Sequence, residues 1–205
     1  MLTIWGRANS SNVQKVIWAC DELAMPFERI DLGGPFGGND APAYRAMNPN
    51  GRVPTIDHDG FVLWESNAIL RYLAAINPER RLVPAGPHAL ALLDQWLDWQ
   101  MATLGLALRG LLMLVLRPEA TAPAGAVAAA AAEVGRHFET LDHHLDARRY
   151  LVGDQFSIAD IALGISAHRW LNLPIQRPVL PALAAWYAAI AERPGFARIR
   201  AIPLS

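Results

Sequence analysis

The sequence predicts an α/β domain followed by an all-helical domain, and three observations support this fold class. Over about the first 80 residues, short apolar runs typical of strands alternate with segments of helical spacing. From Pro87 onward the spacing of apolar residues is helical throughout. Between these parts, residues 79–87 are rich in Pro, Gly and Arg. We therefore predict an α/β domain over residues 1–79, a linker over 80–87 and an all-α domain over 88–205.

The first domain is predicted to run strand, helix, strand, loop with a further helix, two strands and helix. Leu2–Trp5 is short and apolar and is bounded by Gly6, which is typical of a buried strand. Apolar residues recur with helical spacing between Val13 and Leu23. Asp59-Gly60 is a turn that joins two strands as a hairpin. The remaining bounds are 27–32 for the second strand, 33–38 for the loop, 53–56 and 61–64 for the hairpin, and 66–76 for the last helix.

Four helices are predicted in the second domain. The first covers residues 88–116, as one long helix or a bent pair, and ends at Arg117-Pro118, since proline cannot continue a helix. The second, over residues 122–145, is rich in Ala, the best helix former. The other two cover residues 157–170 and 178–192.

Charge and composition exclude several classes of function. The 205 residues are 53% hydrophobic and 18% charged, which suits a folded chain rather than a disordered one. The net charge is −1, without the excess of Lys and Arg that a nucleic-acid-binding surface needs. We therefore expect neither nucleic acid nor an anionic membrane as a partner.

The single cysteine, Cys20, excludes an internal disulfide and any two-cysteine metal or redox motif. It lies at a core-facing position of the first helix, so we expect a buried apolar side chain rather than a nucleophile.

No signal peptide is visible, and the apolar run over residues 104–116 is shorter than a membrane span. Neither an HExxH spacing nor a Cys/His cluster occurs, so no metal is expected. A reducing, cytoplasmic location is the expectation that follows.

Ser157-Ile-Ala-Asp160 precedes an apolar run and predicts a helix start. The Ser side chain can accept from the backbone N–H of Asp160, and the Asp side chain can accept from the N–H of Ser157. This reciprocal capping box is predicted to be structural.

Arg52-Val53-Pro54-Thr55 places a proline just before a strand, where its missing N–H is tolerated. A cis Val53-Pro54 bond would turn the N–H and C=O of Val53 outward, free to pair with a peptide-like ligand. The alternative is an ordinary turn proline.

Glu65 and Ser66 lie at a strand-to-helix junction. The N–H groups of a helix start bind carboxylates, and Glu65 offers a partner for an ammonium. Together they fit the end of an amino acid. The alternative is a helix capped by Ser66 with a surface acid beside it.

Ser10, Ser11 and Asn12 also lie between a strand and a helix. A hydroxyl or amide there could donate to a thiolate, and hydrogen bonding together with the helix N-terminus lowers the pKa of a thiol. The alternative is a simple N-cap, and both roles can coexist among the three residues.

Four motifs in this order resemble the glutathione transferase family, and the resemblance spans nearly the whole chain. They are Ser10-Ser-Asn-Val-Gln-Lys-Val16, Asn48-Pro-Asn-Gly-Arg-Val-Pro54, Trp64-Glu-Ser-Asn-Ala-Ile-Leu70 and Tyr150-Leu-Val-Gly-Asp-Gln-Phe-Ser-Ile-Ala-Asp160, with Arg193-Pro-Gly-Phe196 in addition. The first motif is similar to the serine-type classes at Ser10. It is also similar to the bacterial nu class and related fungal proteins at Asn12, where an Asn in an Asn-x-x-Lys-Val motif contacts the sulfur.

The resemblance implies a thioredoxin-like N-terminal domain, an all-α C-terminal domain and a homodimer. It implies a cis Val53-Pro54 bond and pairing of the Val53 backbone with the cysteinyl unit of glutathione. By the same match, Glu65 and Ser66 hold the γ-glutamyl ammonium and carboxylate, and Arg52 can reach the glycyl carboxylate. Ser10 or Asn12 would contact the sulfur. The sulfur-contacting tyrosine of the alpha, mu and pi classes is replaced here by Trp5 or Gly6. The catalytic cysteine of the omega, beta and glutaredoxin-like types is missing from Ser10 to Asn12.

The implied activity is attack of the glutathione thiolate on a small hydrophobic electrophile, a detoxification reaction. Glutathione would act as co-substrate. Two alternatives remain: a nu-like disulfide reductase or peroxidase, and a non-catalytic regulatory protein that binds glutathione. Six residues of the long helix have spacings that could line the second-substrate site, and each could equally belong to the core: Gln100, Thr103, Leu104, Ala107, Leu108 and Leu111. Asp94 or Asp98 could reach the glutathione of a partner subunit.

Overall fold

The computed structural model describes residues 1–79, 82–116 and 123–204 and divides the chain into two compact units. One unit is Met1–Arg81 together with Arg193–Ser205, and the other is Leu82–Glu192. The fold is a thioredoxin-like N-terminal domain and a mostly helical C-terminal domain, as predicted. The bounds 1–79, 80–87 and 88–205 stay a prediction, and Arg80 and Arg81 of the predicted linker lie outside the described residues.

The elements of the N-terminal part of the first unit are β1 Leu2–Trp5, α1 Ser11–Glu22, β2 Phe27–Ile30, α2 Pro42–Met47, β3 Thr55–His58, β4 Phe61–Trp64 and α3 Ser66–Ile76. The four strands form a sheet of order β2-β1-β3-β4. β1 and β2 are parallel and are joined through α1, while β3 is antiparallel to both β1 and β4. This strand–helix–strand start followed by a hairpin is the thioredoxin-like arrangement.

Several bounds in this unit differ from the prediction, among them the end of β2, which is at Ile30 and not at residue 32, and the end of β3, which is at His58 and not at residue 56. β3 begins at Thr55 and not at residue 53, because Pro54 has no N–H to donate to the sheet. The stretch 33–38 was predicted as loop, and it includes one turn of 3₁₀ helix over Gly34–Phe36. The apolar face of α1 is buried as its spacing predicts, including Val13, Val16 and Cys20.

The second unit is built from helices. α4 (Pro87–Trp99) and α5 (Gly105–Leu116) are one continuous helix, with a wider π turn between them over Gln100–Leu104. A Cβ on Gly105 would lie 2.6 Å from the Gln100 carbonyl oxygen, so this turn requires glycine. The helices are α4 Pro87–Trp99, α5 Gly105–Leu116, α6 Ala126–Leu145, α7 Ile158–Leu171 and α8 Pro181–Ala191. The predicted end at Arg117-Pro118 and the predicted helix start at Ala122 lie outside the described residues.

The apolar stretch of α4 and α5 is longer than residues 104–116 suggest. Pro87–Leu116 is a 30-residue helix that is long and apolar enough to cross a membrane by length and composition. Only 22% of its most apolar window is buried within the chain. Leu92 and Leu106 are among its exposed side chains.

The capping box at the start of α7 is present. The Ser157 N–H donates to Asp160 Oδ2 at 2.9 Å, and the Ser157 hydroxyl donates to the same oxygen at 3.0 Å. Asp160 also accepts from the Leu151 N–H at 3.0 Å and from Trp186 Nε1 at 2.9 Å. Burial raises the pKa of the Asp160 carboxyl, and these donors oppose that shift. The box therefore ties α8 and the chain before α7 to the start of α7.

A short helix, α9 Pro194–Arg200, belongs to the first unit and packs on α1. The sequence analysis did not predict this helix. Phe196 lies against Trp18 with ring centroids 4.7 Å apart. Arg193 donates to both carboxylate oxygens of Glu22, at 2.9 and 2.6 Å, and Trp18 Nε1 donates to Glu22 at 2.9 Å. The C-terminal segment is thus held on the thioredoxin-like domain by this aromatic contact and by two ion pairs, Arg193–Glu22 and Arg198–Asp21.

We expect Ser157→Ala to lower the free energy of unfolding by about 1 kcal/mol, the usual loss of an N-cap. Thr140→Ala is the control, because its exposed hydroxyl bonds only the Arg136 carbonyl within its own helix. Urea unfolding followed by circular dichroism measures both. A loss below about 0.3 kcal/mol for Ser157→Ala would contradict the capping role.

We expect Arg193→Ala to cost about 2–3 kcal/mol, because Glu22 is only 7% exposed and would lose its cation. Arg198→Ala is the matched control. Arg198 is 58% exposed and pairs with Asp21 at 3.3 Å, so its loss should cost under about 1 kcal/mol. Equal losses for the two variants would show that the Glu22 pair is no stronger than a surface pair.

Candidate functional site

The start of α1 presents two polar side chains that make no hydrogen bond to any described residue. Ser10 is the N-cap residue, but its hydroxyl does not cap the helix, so the simple N-cap interpretation is wrong. Its backbone N–H donates to the Arg7 carbonyl at 3.1 Å, and its carbonyl accepts from Gln14 at 2.9 Å. Ser10 is buried and Asn12 is half-buried in the first turn. Both are therefore available as donors at the positive end of a helix.

Gly6 brings the loop between β1 and α1 against Val53. A Cβ on Gly6 would lie 2.4 Å from Val13 Cγ2 and 3.1 Å from Val53 Cβ, so a larger residue cannot fit. Arg29 also donates to the Gly6 carbonyl at 2.8 Å and fixes this loop from the side of β2. The Ser10 loop and Val53 are consequently neighbours.

The loop that carries Val53 is held by its own polar network. Tyr44 and Asn48 both donate to the Arg52 carbonyl, at 2.7 and 2.8 Å, and both contact Thr55 Oγ1. The Val53-Pro54 bond is cis, as the family resemblance implies. The N–H and C=O of Val53 make no hydrogen bond to the residues that the structure describes, while the Arg52 side chain is exposed.

Glu65 and Ser66 form the junction between β4 and α3. Glu65, and not Ser66, occupies the N-cap position, so the prediction that Ser66 caps the helix is wrong. Glu65 has φ 72° and ψ 111°, a conformation that is rare for a residue other than glycine. Such strain costs about 1–3 kcal/mol and is concentrated at functional sites. Its carboxylate is exposed, whereas Ser66 and Asn67 are buried at the first turn of α3.

Lys15 is a buried cation that the sequence analysis did not assign to the site. Its Nζ lies 3.4 Å from Ser66 Oγ and 3.2 Å from Asn67 Oδ1, and so links α1 to the start of α3. Burial lowers the pKa of Lys15 to about 7, and the nearby Glu65 carboxylate opposes that shift. The available signal was that Lys15 is the one lysine of the chain.

Cys20 is buried, and burial raises the pKa of its thiol to about 12, so it remains a thiol at neutral pH. This confirms the prediction of a buried side chain rather than a nucleophile. Among the described residues no group of three or more His, Cys, Asp and Glu side chains could hold a metal ion.

The six residues proposed to line a second-substrate site lie in the second unit and separate into two sets. Thr103 and Ala107 are half-buried. The other four are buried and belong to the packed interior of that unit: Gln100, Leu104, Leu108 and Leu111. For these four the core interpretation is the better one.

Models of a known family match both parts of the chain. The model described as "Glutathione S-transferase, N-terminal domain" matches residues 9–76, and the "Glutathione S-transferase, C-terminal domain" matches residues 124–189. The first match includes every one of the predicted site residues: Ser10, Asn12, Arg52, Val53, Pro54, Glu65 and Ser66.

Individual proteins are similar over nearly the full length. The chain is 39% identical to glutathione S-transferase GstB of Escherichia coli, and the match covers 100% of both chains. A theta-class glutathione S-transferase from Xanthomonas axonopodis pv. citri, solved with glutathione bound, is 45% identical, with a TM-score of 0.94 and coverage of 100% and 99%. The glutathione transferase URE2P8 of Phanerochaete chrysosporium, solved with oxidized glutathione, is 28% identical, with a TM-score of 0.88 and coverage of 96% and 92%.

The chain belongs to the glutathione S-transferase family. It is a transferase enzyme with glutathione transferase function. The family resemblance read from the four sequence motifs is thereby confirmed.

Proposed function

We propose that the enzyme binds glutathione along three junctions of its thioredoxin-like domain. The N–H and C=O of Val53, which have no partner among the described residues, pair with the cysteinyl unit as a short strand would. Glu65 takes the γ-glutamyl ammonium, and Ser66 with the first N–H groups of α3 takes the γ-glutamyl carboxylate. The exposed Arg52 reaches the glycyl carboxylate. The Xanthomonas relative, which was solved with glutathione bound, supports glutathione as the ligand.

In this proposal Ser10 and Asn12 activate the thiol. The observation that carries it is that both polar side chains make no hydrogen bond to described residues at the start of α1, directly after the loop in which Gly6 packs against Val53. A free thiol of this kind has a pKa near ~8.5, so little of it is thiolate at pH 7. Hydrogen bonds to the thiolate and the helix N-terminus favour the charged form. Lowering the pKa by about 2 units stabilises the thiolate by roughly 2.7 kcal/mol relative to the thiol.

The thiolate then attacks an electrophilic carbon of a small hydrophobic substrate, in a detoxification reaction. The sulfur lone pair forms the new C–S bond, the leaving group departs with its bonding electrons, and the thiol proton has already gone to solvent. The chain contributes by positioning the sulfur and by stabilising its negative charge. A lowered pKa of this kind is one of the ways in which a nucleophile is activated.

Disulfide or peroxide reduction is the second candidate, because the Phanerochaete relative was solved with oxidized glutathione. A thiolate attacking a disulfide sulfur forms a mixed disulfide and releases the other thiolate. No cysteine of the chain takes part, since Cys20 is buried as a thiol. Turnover of 2-hydroxyethyl disulfide well above that of an aryl halide would favour this reaction.

We also propose a cytoplasmic homodimer. Large apolar side chains are exposed in each unit, among them Phe61 of β4 at 49% and Leu106 of α5 at 65%. Exposed apolar side chains mark an interface with a partner where they form a contiguous patch, and the dimer proposal requires such a patch.

The thiolate proposal is tested by titrating glutathione bound to the purified enzyme and following thiolate absorbance in the ultraviolet. We expect a midpoint clearly below the free value near ~8.5. Ser10→Ala with Asn12→Ala should return the midpoint toward that value and reduce turnover at least about tenfold, with an unchanged circular dichroism spectrum. Ser11→Ala is the matched control, a hydroxyl lost from the same turn.

The outcomes separate the functions. An unshifted thiol on bound glutathione would mean that the site binds without activating, as a non-catalytic regulatory protein would, and would overturn the proposed mechanism. A lowered midpoint that survives the double substitution would place the sulfur contact on other residues.

The dimer is tested by light scattering after size exclusion. We expect twice the mass of one chain for the wild type, and a shift toward one chain mass for Leu106→Glu, because a charge cannot be buried in an apolar interface without large cost. Val179→Glu is the control, at a side chain that is 92% exposed. Pelleting with membranes after lysis would contradict the cytoplasmic assignment.

A further inference from the structure

Lys15 is a charged side chain placed almost wholly inside the first unit. It stands in the second turn of α1 and is 1% exposed, whereas lysine is almost never fully buried without a partner. Burying an ammonium costs free energy, so a buried lysine is expected to have a structural or functional role that offsets this cost. The Lys15 ammonium lies at the start of α3, beside Glu65, Ser66 and Asn67.

The contacts of Lys15 fix the direction in which Ser66 donates. A charged lysine has three donors and no acceptor. Ser66 Oγ, at 3.4 Å from Nζ, must therefore accept from Lys15, and its own hydroxyl hydrogen points to another acceptor. Asn67 Oδ1, at 3.2 Å, accepts in the same way. The ammonium thus orders the polar side chains of the first turn of α3.

We propose that Lys15 is a positioning residue for the γ-glutamyl carboxylate of glutathione: its ammonium turns the Ser66 hydroxyl outward as a donor and supplies the positive charge behind it. The inference rests on the proposed binding role of Ser66 and adds the residue that orients it. In this proposal Lys15 lies beneath Ser66 and does not contact the sulfur of glutathione.

The charged groups around Lys15 determine how the protonation of Lys15, and with it the orientation of Ser66, depends on pH. The Glu65 carboxylate acts on it directly. Arg71 lies one turn along α3 from Asn67. The other helix packed on α1 is α9, whose Arg193 and Arg198 pair with Glu22 and Asp21 about two turns away along α1. Glu65 is thus the charged neighbour that favours the ammonium.

The sign of the pH dependence follows. Burial holds the pKa of Lys15 at about 7 in the free enzyme. A bound carboxylate adds negative charge nearby and raises that pKa, so binding takes up a proton above pH 7. Affinity is therefore highest below pH 7 and falls as the pH rises through 7.

The test uses S-methylglutathione, which keeps both carboxylates and the amine but has no thiol to titrate. Isothermal titration calorimetry gives its Kd at about pH 6 and about pH 8. For the wild type we expect binding about five- to tenfold weaker at the higher pH, with net proton uptake detected as a dependence of the heat on the buffer.

Two substitutions isolate the charge. Lys15→Met keeps the length of the side chain and removes the ammonium, and we expect binding at least about tenfold weaker at pH 6 with no pH dependence. Lys15→Arg keeps a charge at every pH, so its affinity should not change between the two values. Arg198→Met is the control, a cation removed from a surface pair in the same unit. Thermal melts establish that each variant is folded.

Each outcome decides between the proposals. A wild type that does not bind S-methylglutathione overturns the proposed function itself. A wild type that binds, with Lys15→Met showing the same Kd and the same pH slope, overturns the role of Lys15 and leaves the proposed function standing. A lower melting temperature of Lys15→Met with an unchanged Kd would mean that Lys15 serves only to join α1 and α3.

Discussion

The packing of α1 against α3 is the contact on which the rest of the site depends. It sets two helix N-termini side by side, and each brings unsatisfied backbone N–H groups and a partial positive charge. A tripeptide with a thiolate and carboxylates is suited to such a place. Lys15 joins the two helices at this point, so the same interaction that packs the domain also organises the polar side chains.

The loops around these helix starts are shaped by close approach of the backbone. Gly6 has no room for a Cβ beside Val13 and Val53, and Tyr44 with Asn48 holds the Arg52 carbonyl. Glu65 keeps an unfavourable backbone conformation where β4 passes into α3. These constraints act together: each loop is fixed by contacts from a different element, and the Val53 backbone is left without a partner among the described residues.

Stability is distributed differently in the two units. In the helical unit, the buried Asp160 carboxylate accepts hydrogen bonds from three parts of the chain and so fixes the start of α7. In the thioredoxin-like unit, α9 closes over α1 through Phe196 and the Arg193–Glu22 pair. Gly195 permits that closure, because its Cβ would meet Trp18 Cδ1 at 2.8 Å.

The sequence by itself determined the order of strands and helices as far as α8, the capping box at Ser157 and the family. These depend on local spacing and on motifs of adjacent residues, which a linear pattern records. Tertiary structure alone decided that Lys15 is buried under Ser66, that Ser10 does not cap α1, and that α9 belongs to the first unit. The first and the last of these features depend on residues from about 50 to more than 170 positions apart, such as Lys15 with Ser66 and Glu22 with Arg193. Spacing within one segment carries no information about which distant segment it will meet.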